Sequence, residues 1–151
     1  MNQIQTILLV DDSENDLMLM KIAFEDAGFS NPLQTVENGE QAIAYLKGEN
    51  PYADRSMYPL PNVILLDLNM PKKSGFEVLA WIRTQPGLKR IPIVILTASV
   101  RMEDVEQAYD LGASSFLVKP ASMHELIAMI HCLLEWFRYN RFPPVNEEHR
   151  R

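Results

Sequence analysis

The sequence predicts an α/β fold in which five βα units form a doubly wound parallel sheet covered by helices on both faces. Five short, nearly unbroken apolar runs alternate with longer stretches whose apolar residues recur at helical spacing. A strand apolar on both sides belongs in the middle layer of such a sheet, because a half-solvated strand would alternate polar and apolar residues. Three of the runs also end in charged residues: Asp11-Asp12, Asp67 and Lys119.

Residues 6–10 read as the first strand. Ser13 can cap the following helix, in which Leu17, Met20, Phe24 and Ala27 share a face and Gly28 marks the end. Residues 33–36 form a weaker second strand, and a helix carrying Ala42, Ile43 and Leu46 follows Asn38-Gly39. Residues 63–66 are the third strand. Ser74 or Gly75 then opens a helix with Val78, Leu79 and Ile82, which must stop before Pro86-Gly87. Residues 91–96 are the fourth strand and 102–111 a helix ended by Gly112. Residues 115–118 are the fifth strand, and a long helix begins near Ser122.

Two segments break this regularity. Residues 48–62 contain Pro51, Pro59 and Pro61 without periodicity. Such a connection usually takes ~2–6 residues, so this one reads as a functional loop or as a tolerated surface insertion. Residues 141–151, with Pro143-Pro144 and mixed charge, form a C-terminal tail outside the packed core, which leaves residues 1–140 as one domain.

Composition excludes several functions. The chain has 151 residues, 47% hydrophobic and 23% charged, with a net charge of −6. No basic patch is available for a nucleic-acid groove. No apolar run reaches the ~20 residues that cross a membrane. The first residues, Met1-Asn2-Gln3-Ile4-Gln5, lack the basic flank and apolar core of a signal peptide, and Cys132 is the only cysteine. These features predict a cytoplasmic protein with no internal disulfide.

If the runs are neighbouring parallel strands, Asp11, Asp12, Asp67 and Lys119 meet at one sheet edge, where ligands bind in doubly wound folds. Two like charges ~4 Å apart repel by roughly 4 kcal/mol at an effective dielectric near 20. Such a cluster calls for a cation, and its hard oxygen ligands favour magnesium or another divalent ion of that type. In isolation Asp12 could be no more than a helix cap, and Asn69 a turn residue.

Five motifs in order resemble the response-regulator receiver domain, the phosphoacceptor half of a two-component signalling pair. They are Val10-Asp11-Asp12, Leu66-Asp67-Leu68-Asn69-Met70-Pro71, Gly75, Leu96-Thr97-Ala98 and Val118-Lys119-Pro120, and the match spans about residues 6–134. The resemblance implies a flavodoxin-like sheet of strand order 2-1-3-4-5. It implies that Asp67 accepts a phosphoryl group from a sensor histidine kinase and that Asp11, Asp12, Asp67 and the Asn69 carbonyl hold Mg2+. Thr97 and Lys119 would contact the phosphoryl group, and the Lys119–Pro120 bond would be cis. Thr97 and Phe116 would form the switch, although Phe116 reads equally well as a core aromatic. Asn69 and Ser99 would tune the phosphoryl lifetime. Such a protein is a switch that also removes its own phosphoryl group, not a turnover enzyme.

A phosphatase or phosphotransferase with an aspartyl nucleophile is the competing reading. Haloacid-dehalogenase-like enzymes usually carry a second Asp two residues after the nucleophile, where this chain has Asn69. A flavin-binding electron carrier of similar fold would need a phosphate-cradling loop after the first strand, and Asp11-Asp12-Ser13-Glu14 would repel a phosphate.

The last helix has two apolar stripes. Leu126, Ile127, Ile130, Leu133, Leu134 and Phe137 are expected to face the sheet. Met129, Cys132, Trp136 and Tyr139 lie well round the helix and predict either a homodimer interface through the fourth and fifth helices or a surface covered by the tail. His124 and His131 read as members of a solvated face. With only a short tail after this helix, the chain is expected to act alone, through protein contacts or onward phosphotransfer. The 48–62 connection and the extended last helix resemble the single-domain regulators partnered with bacterial phytochrome kinases.

Overall fold

The computed structural model describes residues 6–145. Five parallel strands and five helices alternate along the chain. They are β1 (Ile7–Val10), α1 (Glu14–Asp26), β2 (Gln34–Val36), α2 (Gly39–Lys47), β3 (Val63–Leu66), α3 (Gly75–Thr84), β4 (Ile93–Thr97), α4 (Met102–Asp110), β5 (Ser115–Val118) and α5 (Met123–Tyr139). The sheet order is β2-β1-β3-β4-β5, as expected. None of the helices among the described residues is long and apolar enough to cross a membrane.

Alternation along each strand sorts the core into two layers. Ile7, Leu9, Val63, Leu65, Val94 and Leu96 point to one face, where Leu17, Met20 and Phe24 of α1 and Leu126, Ile130, Leu133 and Phe137 of α5 cover them. Leu8, Val10, Ile64, Leu66, Ile93 and Ile95 point to the other, under Ala42, Tyr45 and Leu46 of α2 and Val78, Leu79 and Ile82 of α3. These central strand residues are buried, so truncating one to alanine should cost ~2–5 kcal/mol.

Helix starts follow the local chemistry. Ser13, Asn38, Ser74 and Ser122 each accept a backbone N–H of the first turn, and Ser74 with Glu77 completes a capping box. The start of α4 differs, since Arg101 at its N-cap makes no side-chain cap bond. Ala108 is the one buried residue of α4. Its far end is tied by Arg83, whose Nε donates to Gly112 O at 2.8 Å while Nη1 donates to Lys89 O at 2.8 Å and Ile91 O at 2.7 Å.

Several boundaries and details differ from expectation. β4 begins at Ile93 and not at residue 91, because Pro92 offers no N–H and Ile91 N is used in a turn to Leu88 O. The Lys119–Pro120 bond is not cis; the cis bond among the described residues is Asn50–Pro51. The two isomers of an X–Pro bond differ by only about 0.5–1 kcal/mol, so surrounding packing decides between them.

The 48–62 segment is a packed lobe. Gly48 takes a left-handed conformation (φ 75°) at the end of α2, and Arg55 closes over it, donating to Tyr45 O at 2.8 Å, Leu46 O at 3.0 Å and Tyr58 O at 3.1 Å. The rings of Tyr45, Tyr52 and Tyr58 stack mutually at 5.2–5.9 Å. Tyr45 Oη donates to Pro59 O at 2.7 Å, and burial raises its pKa.

Of the tail, residues 141–145 are described and 146–151 lie outside the described residues. Phe142 is half-buried, its ring 6.0 Å from Phe137 on one face of the sheet, while Val145 packs on the layer beneath the opposite face. This stretch was expected outside the core, and its proline and charge content hid these two apolar contacts.

Candidate functional site

The strand ends bring the expected charges together. Val10 pairs with Leu66, so Asp11 and Asp67 leave adjoining strands side by side, anchored by Asp67 N donating to Val10 O at 3.0 Å. Thr97 pairs with Val118, which sets Lys119 beside them, its N–H on Thr97 O at 2.8 Å. The order of the sheet reverses between β1 and β3, the position where doubly wound folds hold ligands.

Asp11, Asp12 and Asp67 each offer a carboxylate oxygen within 4.8 Å of the others; Asp11 and Asp67 are buried and Asp12 is exposed. Three hard, anionic oxygens around one point suit Mg2+, Ca2+ or Mn2+ and leave room for water and a substrate oxygen. Asn69 is exposed at the rim, its N–H 3.5 Å from Asp67 Oδ1.

Lys119 sits between the acids. Its Nζ donates to Asp11 Oδ2 at 2.6 Å, Asp16 Oδ2 at 2.9 Å and Asp67 Oδ2 at 3.5 Å. Burial works against the ammonium, yet the hydrogen bonds to Asp11 and Asp16 and the charge of Asp67 outweigh it, so its pKa rises. Burial also pushes the Asp11 carboxyl up, against the pull of Lys119 and the Ser13 N–H. Both partners of this ion pair thus shift upward: Asp11 is a costly charge to bury, and Lys119 is what compensates it.

Nothing in the sequence alone singles out Asp16. It stands on the first turn of α1, where its N–H donates to Ser13 Oγ at 3.1 Å. An acid in the first turn after β1 is the available signal, but such acids also serve the helix dipole, and only the packed fold brings this one to Lys119.

Glycine at residue 75 is required by packing. A Cβ there would lie 2.3 Å from Asp67 O and 2.7 Å from Leu68 Cα, so the start of α3 presses directly on the backbone of the acid. Thr97 is fully buried behind the site. Ser99, two residues on, donates from Oγ to Asp104 Oδ2 at 2.5 Å and accepts Arg101 N at 3.3 Å, which joins it to the start of α4. Phe116 is half-buried against the α2–α3–α4 layer.

Of the outward stripe on α5, Met129 is half-buried against the core, Cys132 is exposed, Trp136 is 47% exposed and Tyr139 is 79% exposed. Phe142 covers Phe137 and leaves Trp136 and Tyr139 open. Val100, Met102, Tyr109 and Val118 extend the exposed apolar surface across α4 and β5. His131 pairs with Asp26 of α1 at 3.2 Å. Among the described residues the one acid, histidine or cysteine group able to hold a metal is Asp11, Asp12 and Asp67.

A family model described as the response regulator receiver domain matches residues 7–131. Response regulator Rcp1 of Synechocystis sp. is 40% identical over 129 residues, covering 85% of this chain and 86% of that protein. A probable methanogenesis regulatory protein, FilR2 of Methanothrix harundinacea, is 38% identical over 138 residues, 91% and 86% of the two chains. The crystal structure of the phosphorylated cyanobacterial phytochrome response regulator RcpA matches with a TM-score of 0.86 at 36% identity, covering 94% of this chain and all (100%) of that one. The Mn2+-bound form of Rcp1 matches with a TM-score of 0.82 at 37% identity, covering 93% and 99%.

Proposed function

We propose, from the premise that this chain belongs to the response-regulator receiver family, that it is a stand-alone switch carrying a phosphoryl group on Asp67. One observation carries the reading: Lys119 Nζ bridges Asp11 and Asp67 on adjoining strand ends, beside an acid triple open to solvent at Asp12. A carboxylate nucleophile, a fixed ammonium and a divalent-ion site are the parts that phosphoryl transfer to an acid needs.

The donor is a sensor histidine kinase. Asp67 Oδ forms the new bond to phosphorus as the N–P bond of the kinase phosphohistidine breaks, and the imidazole leaves with that bonding pair. A carboxylate nucleophile brings its own lone pair, so the transfer needs alignment and charge neutralisation more than a base. Asp11, Asp12, Asp67 and the Asn69 carbonyl would hold Mg2+, which when bound supplies positive charge to the phosphoryl oxygens. Lys119 takes one of those oxygens and the Thr97 hydroxyl another. The added charge of about −1.5 to −2 then draws Thr97 and the following loop inward, with Phe116 turning as part of the same shift. Asn69 and Ser99 set how long the group survives, and its loss is self-catalysed hydrolysis, not turnover of outside substrates.

The description of RcpA as a phytochrome response regulator supports a phytochrome-type kinase as the partner; the proposed site of action is the cytoplasm. The exposed surface of α4, β5 and α5, with Met129, Cys132, Trp136 and Tyr139, is the proposed homodimer and output face.

Labelling with radioactive acetyl phosphate and with phosphorylated candidate kinases, each in Mg2+ and in EDTA, tests this. The wild-type protein should be labelled only with Mg2+, and Asp67→Asn not at all. Persistent labelling of Asp67→Asn would refute the assignment.

A further inference from the structure

Lys119 has three N–H donors and spends them on three carboxylates, one of which is outside the acid triple. Asp16 Oδ2 is closer to Nζ (2.9 Å) than Asp67 Oδ2 is (3.5 Å). We propose that Asp16 is a positioning residue that holds the resting ammonium back from Asp67 and must release it before Lys119 can grip a phosphoryl group. The inference rests on reading Asp67 as the phosphoacceptor.

Exposure decides which partner lets go. The Asp16 side chain is 37% exposed, against 5% for Asp11 and 10% for Asp67. A carboxylate that loses its ammonium must be solvated by something else. Water can do this for Asp16, whereas Asp11 is enclosed and would keep an uncompensated charge. The Lys119 backbone is pinned by its N–H on Thr97 O, so the change of partner is a swing of the side chain alone. Asp16 does not follow it, because its own backbone is fixed to Ser13 at the start of α1. The resting contact therefore opposes phosphorylation by the strength of one partly exposed ion pair.

The test compares Asp16→Asn and Asp16→Glu with wild type in two measurements. The first is the rate of labelling by acetyl phosphate at saturating Mg2+. The second is the nitrogen-15 resonance of the Lys119 ammonium without any phosphodonor. Asp16→Asn should be labelled roughly 1.5- to 5-fold faster, the range for losing an ion pair of this exposure, and should shift the Lys119 resonance. Asp16→Glu, which keeps the charge, should resemble wild type in both. Equal or slower labelling of Asp16→Asn overturns the inference alone. So does faster labelling with an unmoved Lys119 resonance, which is long-range repulsion only. Wild-type protein that takes no phosphoryl group overturns the functional reading and this inference with it.

Discussion

Replacing Lys119 with methionine keeps an unbranched side chain one atom shorter and removes its charge, leaving Asp11 and Asp67 buried without an ammonium between them. At an effective dielectric near 20, the contact at 2.6 Å is a gross attraction of about 6 kcal/mol, and two carboxylates within 4.8 Å repel by at least ~3.5 kcal/mol. The desolvation of Lys119, which the variant avoids, cancels part of this. Breaking a buried pair by removing one partner costs about 3–5 kcal/mol, and access to water through exposed Asp12 places this site near 3. With a urea slope of about 2 kcal/mol/M, the unfolding midpoint in EDTA should fall by roughly 1.5 M. A divalent ion bound only by the folded state replaces the missing charge, so excess Mg2+ should restore most of the loss. Urea titrations of both proteins in EDTA and in Mg2+ measure this directly. A loss below ~1 kcal/mol in EDTA, or an equal loss with and without Mg2+, would show that Lys119 does not neutralise the acids.

Four further outcomes are expected. Gly75→Ala forces a Cβ against the backbone of Asp67 and Leu68, and should lower stability by about 3 kcal/mol and slow labelling of Asp67, read by denaturation and acetyl phosphate kinetics. Arg55→Ala removes three carbonyl contacts at the end of α2 and should cost about 2 kcal/mol, with faster amide exchange in residues 48–62 and unchanged Asp67 labelling. Because the pKa of Tyr45 is raised, the unfolded chain loses that proton first. Its stabilising effect is complete below the ordinary tyrosine value of 10.0 and declines above it by up to ~1.4 kcal/mol per pH unit, a decline that Tyr45→Phe should remove in alkaline denaturation curves. Trp136→Glu should leave labelling intact and abolish the dimer in sedimentation velocity; a wild-type monomer at every concentration, phosphorylated or not, contradicts the interface.

The sheet and most of the site could be read from the sequence because their signals are local. Near-continuous apolar runs such as Val63–Leu66 require a covered sheet, and Asp11, Asp67 and Lys119 directly follow such runs. What escaped depends on contacts between distant elements. Asp16 is one of several acids around the start of α1, and its contact with Lys119, 103 residues away, exists only in the folded chain. Arg55 caps a helix from nine residues away across an irregular stretch, a bond that no helix-end pattern encodes. The isomer before Pro120 is nearly balanced in energy, so packing decides it. Phe142 and Val145 stand in a proline-rich, charged context that masks two apolar contacts.

The unequal mounting of α4 has a mechanical meaning. One end is tied through Gly112 to Arg83, and the other meets Ser99, two residues beyond Thr97, through Asp104. With only Ala108 buried, little holds the middle. Nine residues at 1.5 Å each make a rod ~13 Å long. A displacement of about 1 Å at the Ser99 end therefore turns the rod by roughly 4° about its far end. Met102 would then travel nearly as far as Ser99 and Tyr109 scarcely at all, so the stroke of such a lever would be delivered at the end nearest the acids.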